Sequence, residues 1–353
     1  MTSARPQDGA LRVRELGISD AELARWDAFV KSMPHGTFFH LAGWKRVLER
    51  GLGHEATFLY AERGDAIEGV LPLGHVHSWL FGNALVSTPF CVYGGAIARS
   101  DAARDVLQDE ACRRAEALRV DYLELRNRAE TNPQWPARRD RYVTFRKALD
   151  PDPDVNFRQI PKKQRAMVRK GIAGGLTSVV DDDLERFYDA FAESVRNLGT
   201  PVFSRRYFRE LKSTFGDACE IARVMSGDRV VAGVMSFYFR DEVLPYHGGG
   251  TAVARTLYAN DFMYWDLMCR ATERGVRVFD YGRSKVDTGS YHFKRHWGFE
   301  PESLHYEYRL VRAIAVPDLS PLNPKYRAFI AAWRRLPLPV SRLLGPVLAR
   351  NLG

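Results

Sequence analysis

The chain has 353 residues, roughly twice the usual domain length, so two domains are expected. Hydrophobic residues make up 45% and charged residues 27%, a globular composition that excludes disorder, collagen-like repeats and a disulfide scaffold. The formal charge is +9, but it is local: 158–170 holds six basic residues and no acid, and 319–353 holds six more and no acid. Two basic patches on a nearly neutral body suggest local docking of something anionic.

Residues 20–50 read as two short helices. Ser19 or Asp20 caps the first, and Gly51 closes the second after Trp44, Val47 and Leu48. Segments 56–60 and 67–73 read as strands joined at Arg63-Gly64-Asp65, a hairpin signal. Pro89 and Gly94-Gly95 punctuate a further strand region, followed by a helix over 101–118, a strand over 121–125, a loop over 132–140 and a strand over 142–148. Asp150-Pro151-Asp152-Pro153 breaks regular structure and marks the expected domain boundary. Pro161 then opens a basic helix over 162–171. Leu184, Phe187, Phe191, Val195 and Leu198 share one helical face that ends at Gly199, and Ser204 caps the next helix. Strands over 219–225, 230–239 and 242–247 turn at Gly227-Asp228 and Asp241. Asn260 is placed to cap a helix running to Arg274-Gly275, and 276–281 reads as a strand.

The second half repeats the order of the first. Cys112, Arg113, Glu116, Tyr122 and Arg126 match Cys269, Arg270, Glu273, Phe279 and Arg283 at a constant offset of 157. The expected fold is α/β of the α+β kind, a mixed, largely antiparallel sheet flanked by helices, present twice. The expected domains are 1–149 and 150–312, with a basic helical segment over 313–353. That segment, with Trp333 beside Arg334 and Arg335, is expected to pack back on the first domain, peripheral membrane contact being the alternative. No apolar run approaches the ~18 residues of a spanning helix, and 1–16 lacks the apolar core of a signal peptide. Four cysteines with no CxxC spacing suit a reduced, cytoplasmic protein.

The densest chemistry lies in Phe279-Asp280-Tyr281-Gly282-Arg283-Ser284-Lys285 and the Thr288–Pro301 stretch that follows, where a strand ends in a carboxylate, a glycine and a guanidinium. In an open α/β sheet, ligands bind at the carboxyl ends of strands. The run FDYGRSKVDTGSYHFKRHWGFEP resembles the C-terminal signature of the FemAB-like acyltransferases of exosortase (PEP-CTERM) loci, as do FFHLAGWKRVLERGLGH, LVSTPFCVYGGA and IPKKQRAMVRKGI. The resemblance implies two GNAT-like domains and a cytoplasmic N-acyltransferase of an exopolysaccharide-linked cell-envelope pathway, its site between the domains and mostly on the second. Characterised members of the wider group move aminoacyl groups from tRNA to amines, and related GNAT proteins use acyl thioesters. One departure stands out. Acetyl-CoA-binding GNAT proteins carry an R/Q-x-x-G-x-G/A loop, whereas Arg255 here is followed by Thr256, Leu257, Tyr258, Ala259 and Asn260.

On this reading Lys294 is a fixed cation for a phosphate or an oxyanion, or else a solvated lysine. Asp280 is a base or orienter for the acceptor amine, or the partner of Arg283, which itself could clamp an anion. His247 is a general base or a packed strand-end histidine, and Tyr291 a proton donor or a core aromatic. Tyr246, Gly282, Ser284 and Asn260, with Ser87 and Tyr93 in the first domain, are candidate substrate-binding residues. Lys162, Lys163, Arg165, Arg169 and Lys170 form a solvated face or a dock for a polyanionic donor carrier; no aromatic interleaves on that helix, so base stacking by it is excluded. His292 and His296 have a metal spacing but no acidic or cysteine companions, so no metal is expected. Nor is a tightly bound cofactor expected. The co-substrate is an acyl thioester, on acyl carrier protein or CoA, or an aminoacyl-tRNA; the acceptor is a small-molecule amine. The rival reading is a non-catalytic adaptor that binds RNA or a protein partner.

Overall fold

A computed structural model describes residues 9–78, 82–139, 141–316 and 324–352. The residues before 9 and the start of the basic C-terminal segment, 317–323, lie outside the described residues. In chain order the elements begin with β1 (Arg12–Glu15), α1 (Asp20–Ser32), α2 (Gly43–Arg46), β2 (Glu55–Arg63), β3 (Ala66–Ser78), β4 (Gly82–Ser87), β5 (Ile97–Ala98), α3 (Asp101–Ala117), β6 (Tyr122–Asn127) and β7 (Ala137–Arg138). They continue with β8 (Tyr142–Ala148), α4 (Pro153–Gln159), α5 (Lys162–Ala173), β9 (Thr177–Val180), α6 (Leu184–Leu198), α7 (Arg205–Phe215), β10 (Cys219–Ser226), β11 (Arg229–Phe239) and β12 (Glu242–Gly250). The last are α8 (Ala259–Glu273), β13 (Val278–Asp280), β14 (Ser284–Lys285), α9 (Gly289–His296), β15 (Pro301–Ser303), β16 (His305–Leu310), α10 (Pro324–Arg335) and α11 (Leu338–Ala349).

Local chemistry places most of these boundaries. Ser19 and Ser204 accept the backbone N–H bonds of Glu22 and Tyr207 at 3.3 and 3.1 Å, capping α1 and α7. Gly64 turns the β2–β3 hairpin with φ +57°. Two expected ends move. The turn after α2 runs on to Leu52 and is closed by Gly53 in the left-handed region, not by Gly51. Asn260 caps nothing: α8 starts from Tyr258, itself left-handed at φ +57°.

The chain divides into two compact units, Met1–Arg139 with Leu304–Pro317 and Asn351–Gly353, and Asp140–Ser303 with Asp318–Arg350. The first carries a sheet in the order β1-β2-β3-β4-β6-β16-β7, the second in the order β14-β8-β13-β12-β11-β10-β9. Each is antiparallel apart from one parallel pair, β4 with β6 and β12 with β13, and in each case the intervening helix, α3 or α8, makes the crossover. Apolar cores follow: α3 covers Leu59, Leu71, Leu85 and Leu123 in the first unit, and α8 brings Met263 and Leu267 to Val234, Val243 and Phe279 in the second.

The boundary expected at 149/150 is therefore displaced. Strand β8 belongs to the second sheet, where Asp280 lies opposite Arg146, and β16 returns to the first, pairing with β6. Asp150-Pro151-Asp152-Pro153 is helix-start chemistry rather than a linker, with Asp152 accepting from Asp154 N at 2.8 Å and Pro153 in the first turn of α4.

The C-terminal helices also depart from expectation. They pack on α6 of the second unit. Arg334 donates to Leu198 O at 3.3 Å, placing a cation on the C-terminal carbonyls of α6, and Arg342 pairs with Asp189 at 3.1 Å. Helix α11 lies against this support through its small residues, Ser341, Gly345 and Ala349, all buried. A Cβ at Gly345 would stand 2.9 Å from Val202 O. No helix among the described residues is long and apolar enough to cross a membrane. Replacing Gly345 with Val should lift α11 from its seat at a cost of about 1–3 kcal/mol. Hydrogen exchange checks it: amides of α11 should lose protection while those of β10–β12 keep theirs.

Candidate active site

Strand β13 is three residues long because its neighbours part. It pairs with β12 only through Glu242↔Val278 and Val243↔Phe279, while β12 runs on to Gly250 bonded to β11 alone. The two strands diverge where Asp280 stands. Such a parting opens a sheet beside the carboxyl end of a strand, the usual ligand position in α/β folds.

Asp280 is buried to 1% exposure and both its oxygens are engaged. Oδ2 receives Arg146 Nη1 at 2.6 Å, and Oδ1 accepts from Gly282 N at 2.8 Å and Thr144 Oγ1 at 3.4 Å. The same guanidinium holds Glu242, with Nη1 to Oε2 at 3.1 Å. A largely enclosed cation between two carboxylates, one of them buried, ties β8, β12 and β13 together. Asp280 thus has a partner on β8, and a carboxylate so occupied is poorly placed to take a proton. Arg283 lies over the ring of Tyr142 at 4.8 Å.

Lys294 reaches back from α9 to the turn after β13. Its Nζ donates to Gly282 O at 2.9 Å and Arg283 O at 3.1 Å, above the rings of Phe145 and Tyr281. Gly282 adopts φ +67°, which lets both carbonyls face the amine. Burial lowers the Lys294 pKa to about 7, against the partial upward pull of Asp280. Neither a solvated lysine nor a cation open on all sides, it is a brace whose protonation changes near neutrality. Tyr291, one turn earlier, packs edge-on against Phe145 at 5.6 Å.

His247 is buried among Phe191, Phe203, Phe208 and Tyr246, with Nε2 at 3.2 Å from the Tyr207 hydroxyl. Burial pushes its pKa down to about 3, so the imidazole stays neutral and makes a weak base. The imidazole is enclosed at the strand end by aromatic rings, with the Tyr207 hydroxyl as its polar neighbour. Ser87 and Tyr93 lie in the first unit and are buried. Ser87 Oγ accepts from Arg126 N at 2.7 Å, tying β4 to β6, while Tyr93 lines a cavity of about 280 Å³ together with His40, Gly95 and Arg126. Buried Ser284 Oγ and the amide oxygen of Asn260 have no hydrogen-bond partner.

The sequence reading missed a carboxylate with a raised pKa. Asp261, in the first turn of α8, accepts from Trp297 Nε1 at 3.1 Å, and burial raises its pKa to about 6. One turn on, Tyr264 packs on Tyr281 at 4.8 Å, and a Cβ at Gly248 on β12 would stand 2.8 Å from its hydroxyl. These rings stand beside the divergence of the strands, and the Tyr281 hydroxyl is buried with no partner. No sequence signal marks Asp261, because its poise comes from burial by α9.

The basic helix α5 packs on α8. Lys162, Lys163, Arg169 and Lys170 are exposed, while Arg165 donates to Arg158 O at 2.7 Å. Lys170 lies over the Tyr258 ring at 5.0 Å and Arg169 over Phe157 at 5.1 Å, so aromatics absent from α5 itself arrive from other elements. Tyr258 stands at the start of α8 in a left-handed conformation that a glycine loop would adopt without strain.

These features define a protein with a GNAT-type second unit. Residues 156–295 match the model of the acetyltransferase (GNAT) domain. Several solved structures share the fold over most of the chain. FemX is 15% identical with a TM-score of 0.64, covering 85% of this chain and 98% of that one. A tandem GNAT protein from the clavulanic acid biosynthesis pathway is 13% identical with a TM-score of 0.55, covering 88% and 100%. The L-PGS of Bacillus licheniformis is 15% identical with a TM-score of 0.50, covering 91% and 96%. No curated protein matches the chain by sequence.

Two outcomes are expected. Arg146→Met leaves the buried Asp280 without its cation and should cost about 3 kcal/mol, read by urea denaturation at neutral pH. Lys294 binds its proton less tightly folded, at about 7, than unfolded, at 10.5. Between these values the unfolded state holds more protons, so this group makes stability rise with pH. Lys294→Met should therefore show a smaller gain than the wild type between about pH 7 and 10.5, and equal slopes would refute the assignment.

Proposed function

We propose that the protein is an N-acyltransferase whose second unit carries the reaction, moving an acyl group from a carried thioester to a small-molecule amine. The observation that carries this reading is the divergence of β12 from β13 beside the Gly282–Arg283 turn, within the segment that matches the GNAT domain model. Beyond Val243, β12 keeps one edge with no strand partner among the described residues. Such an edge can bond an extended donor arm and present its carbonyl to the acceptor.

Asp261 is assigned as proton acceptor, because its pKa of about 6 leaves it ionised at neutral pH and near the acceptor ammonium in driving force. The amine nitrogen attacks the acyl carbon to form a C–N bond and a tetrahedral oxyanion, Asp261 takes the proton from nitrogen, and the C–S bond breaks as the carbonyl returns. The departing thiolate then takes a proton from Asp261 or solvent. Lys294 is a positioning residue that fixes the turn bearing Arg283, and Arg283 supplies positive charge to the oxyanion or to the donor carrier.

The donor is assigned as an acyl group on acyl carrier protein or CoA. Tyr258 in place of a loop glycine disfavours a diphosphate cradle of the usual kind, and the exposed Lys162, Lys163 and Lys170 favour an anionic carrier protein. An aminoacyl-tRNA is the second reading, favoured by the same basic helix. The FemAB-like, exopolysaccharide-linked setting implied by the sequence resemblance is part of this proposal.

The test offers the full chain acetyl-CoA, longer acyl-CoA, acyl carrier protein thioesters and aminoacyl-tRNAs with amine acceptors, and follows amide products by mass spectrometry. Amide formation from any of them supports acyl transfer; failure of all, with salt-sensitive RNA binding retained, supports an adaptor instead. With a substrate pair in hand, Asp261→Asn should lower kcat about 100-fold with little change in KM. The wild-type rate should rise with pH through about 6 and the variant should lose that limb.

A further inference from the structure

Helix α11 is built the wrong way round for a helix in water. Its small residues face the protein, and its large apolar residues face out: Leu343 is 76% exposed, Val347 64%, Leu344 46% and Val340 38%. These four stand at i, i+3, i+4 and i+7, one continuous stripe of an amphipathic helix. An ordinary surface helix buries that stripe. Here Ser341, Gly345 and Ala349 occupy the inward face, and the fit of Gly345 to Val202 holds the stripe outward.

The surroundings select the occupant. Residues 319–353 carry six basic residues and no acid. Exposed Arg335 precedes the helix and exposed Arg350 follows it, bracketing the stripe, while Arg342 is held on the protein side by Asp189. Two copies meeting through this stripe would bring their arginines together, whereas an anionic bilayer offers negative headgroups around an apolar interior. We propose that α11 docks the protein on anionic membrane surfaces, its Val340–Val347 stripe entering the headgroup–acyl boundary and the flanking arginines meeting lipid phosphates.

The test mixes the full chain with vesicles of phosphatidylglycerol and phosphatidylcholine, or of phosphatidylcholine alone, and measures cosedimentation at low and raised salt. The expected result is binding to the anionic vesicles, weakened by salt, and at least about tenfold weaker for a Leu343→Asp, Leu344→Asp double variant. Both side chains are solvent-facing, so the circular dichroism and melting of that variant should match the wild type. A Leu343→Trp variant supplies a second readout, its emission shifting to shorter wavelength with anionic vesicles. Absence of wild-type binding overturns the proposal, as does a double variant that binds as well as the wild type. So does light scattering that shows a dimer abolished by the double variant while vesicles stay unbound, which would assign the stripe to a second copy.

Discussion

The second unit hangs on one largely enclosed cation. Arg146 sits between Asp280 and Glu242, joining the middle of β8 to the end of β13 and the start of β12. Withdrawing charges from water is costly unless they are paired and hydrogen-bonded, and here the geometry supplies both, most of all for the buried Asp280. Once Asp280 is held, its second oxygen takes Gly282 N, and this sets the turn whose carbonyls receive Lys294. The opening between β12 and β13 thus has a rigid rim. Asp280 and Lys294, prominent in the sequence, are both held by hydrogen bonds within that rim.

The first unit shows the same topology with its parallel strands held together, and its cavity, lined by Tyr93, Gly95, Arg126 and Asn127, lies past the end of β6. Its parallel pair, β4 and β6, extends over Ala84↔Tyr122, Leu85↔Leu123 and Val86↔Glu124, and Ser87 Oγ then catches Arg126 N. Gly94 N and Gly95 N both donate to Arg126 O at 3.1 Å, so a loop closes over the strand end. Arg126, the counterpart of Arg283 at the offset of 157, is buried and paired with Glu124 at 2.6 Å. The same position is thus tied to a carboxylate on its own strand in one half and lies over a tyrosine ring in the other.

The molecule also shows how little local amphipathicity says about which face of a helix is buried. In α6, Phe187 and Phe191 point to the sheet as their spacing implies. In α11 the apolar spacing is just as regular, yet a glycine and a serine take the inner face, because α6 and Val202 leave room only for small side chains. Packing space, rather than hydrophobicity, decided that orientation.

Much of the architecture was legible in the residues alone. The serine caps at 19 and 204, the glycine turn at 64 and the helix end at Gly199 are short-range chemistry, complete within a few residues and therefore readable in order. The repeated strand–helix–strand order was readable for the same reason, and so was the segment from Asp280 to Lys294 as the densest chemistry. The partners were not. Arg146 and Asp280 are 134 positions apart, and only the order β8-β13-β12 brings them into contact. The proline-rich break at 150–153 carried the local signal of an interruption, but a helix cap and a linker share that signal, and sheet membership alone told them apart. Residue types and their near neighbours determined which elements form. The tertiary structure decided which charges are paired, which histidine is shut away and which carboxylate is raised toward neutrality, because burial and long-range pairing depend on surfaces that exist only after the sheets are assembled.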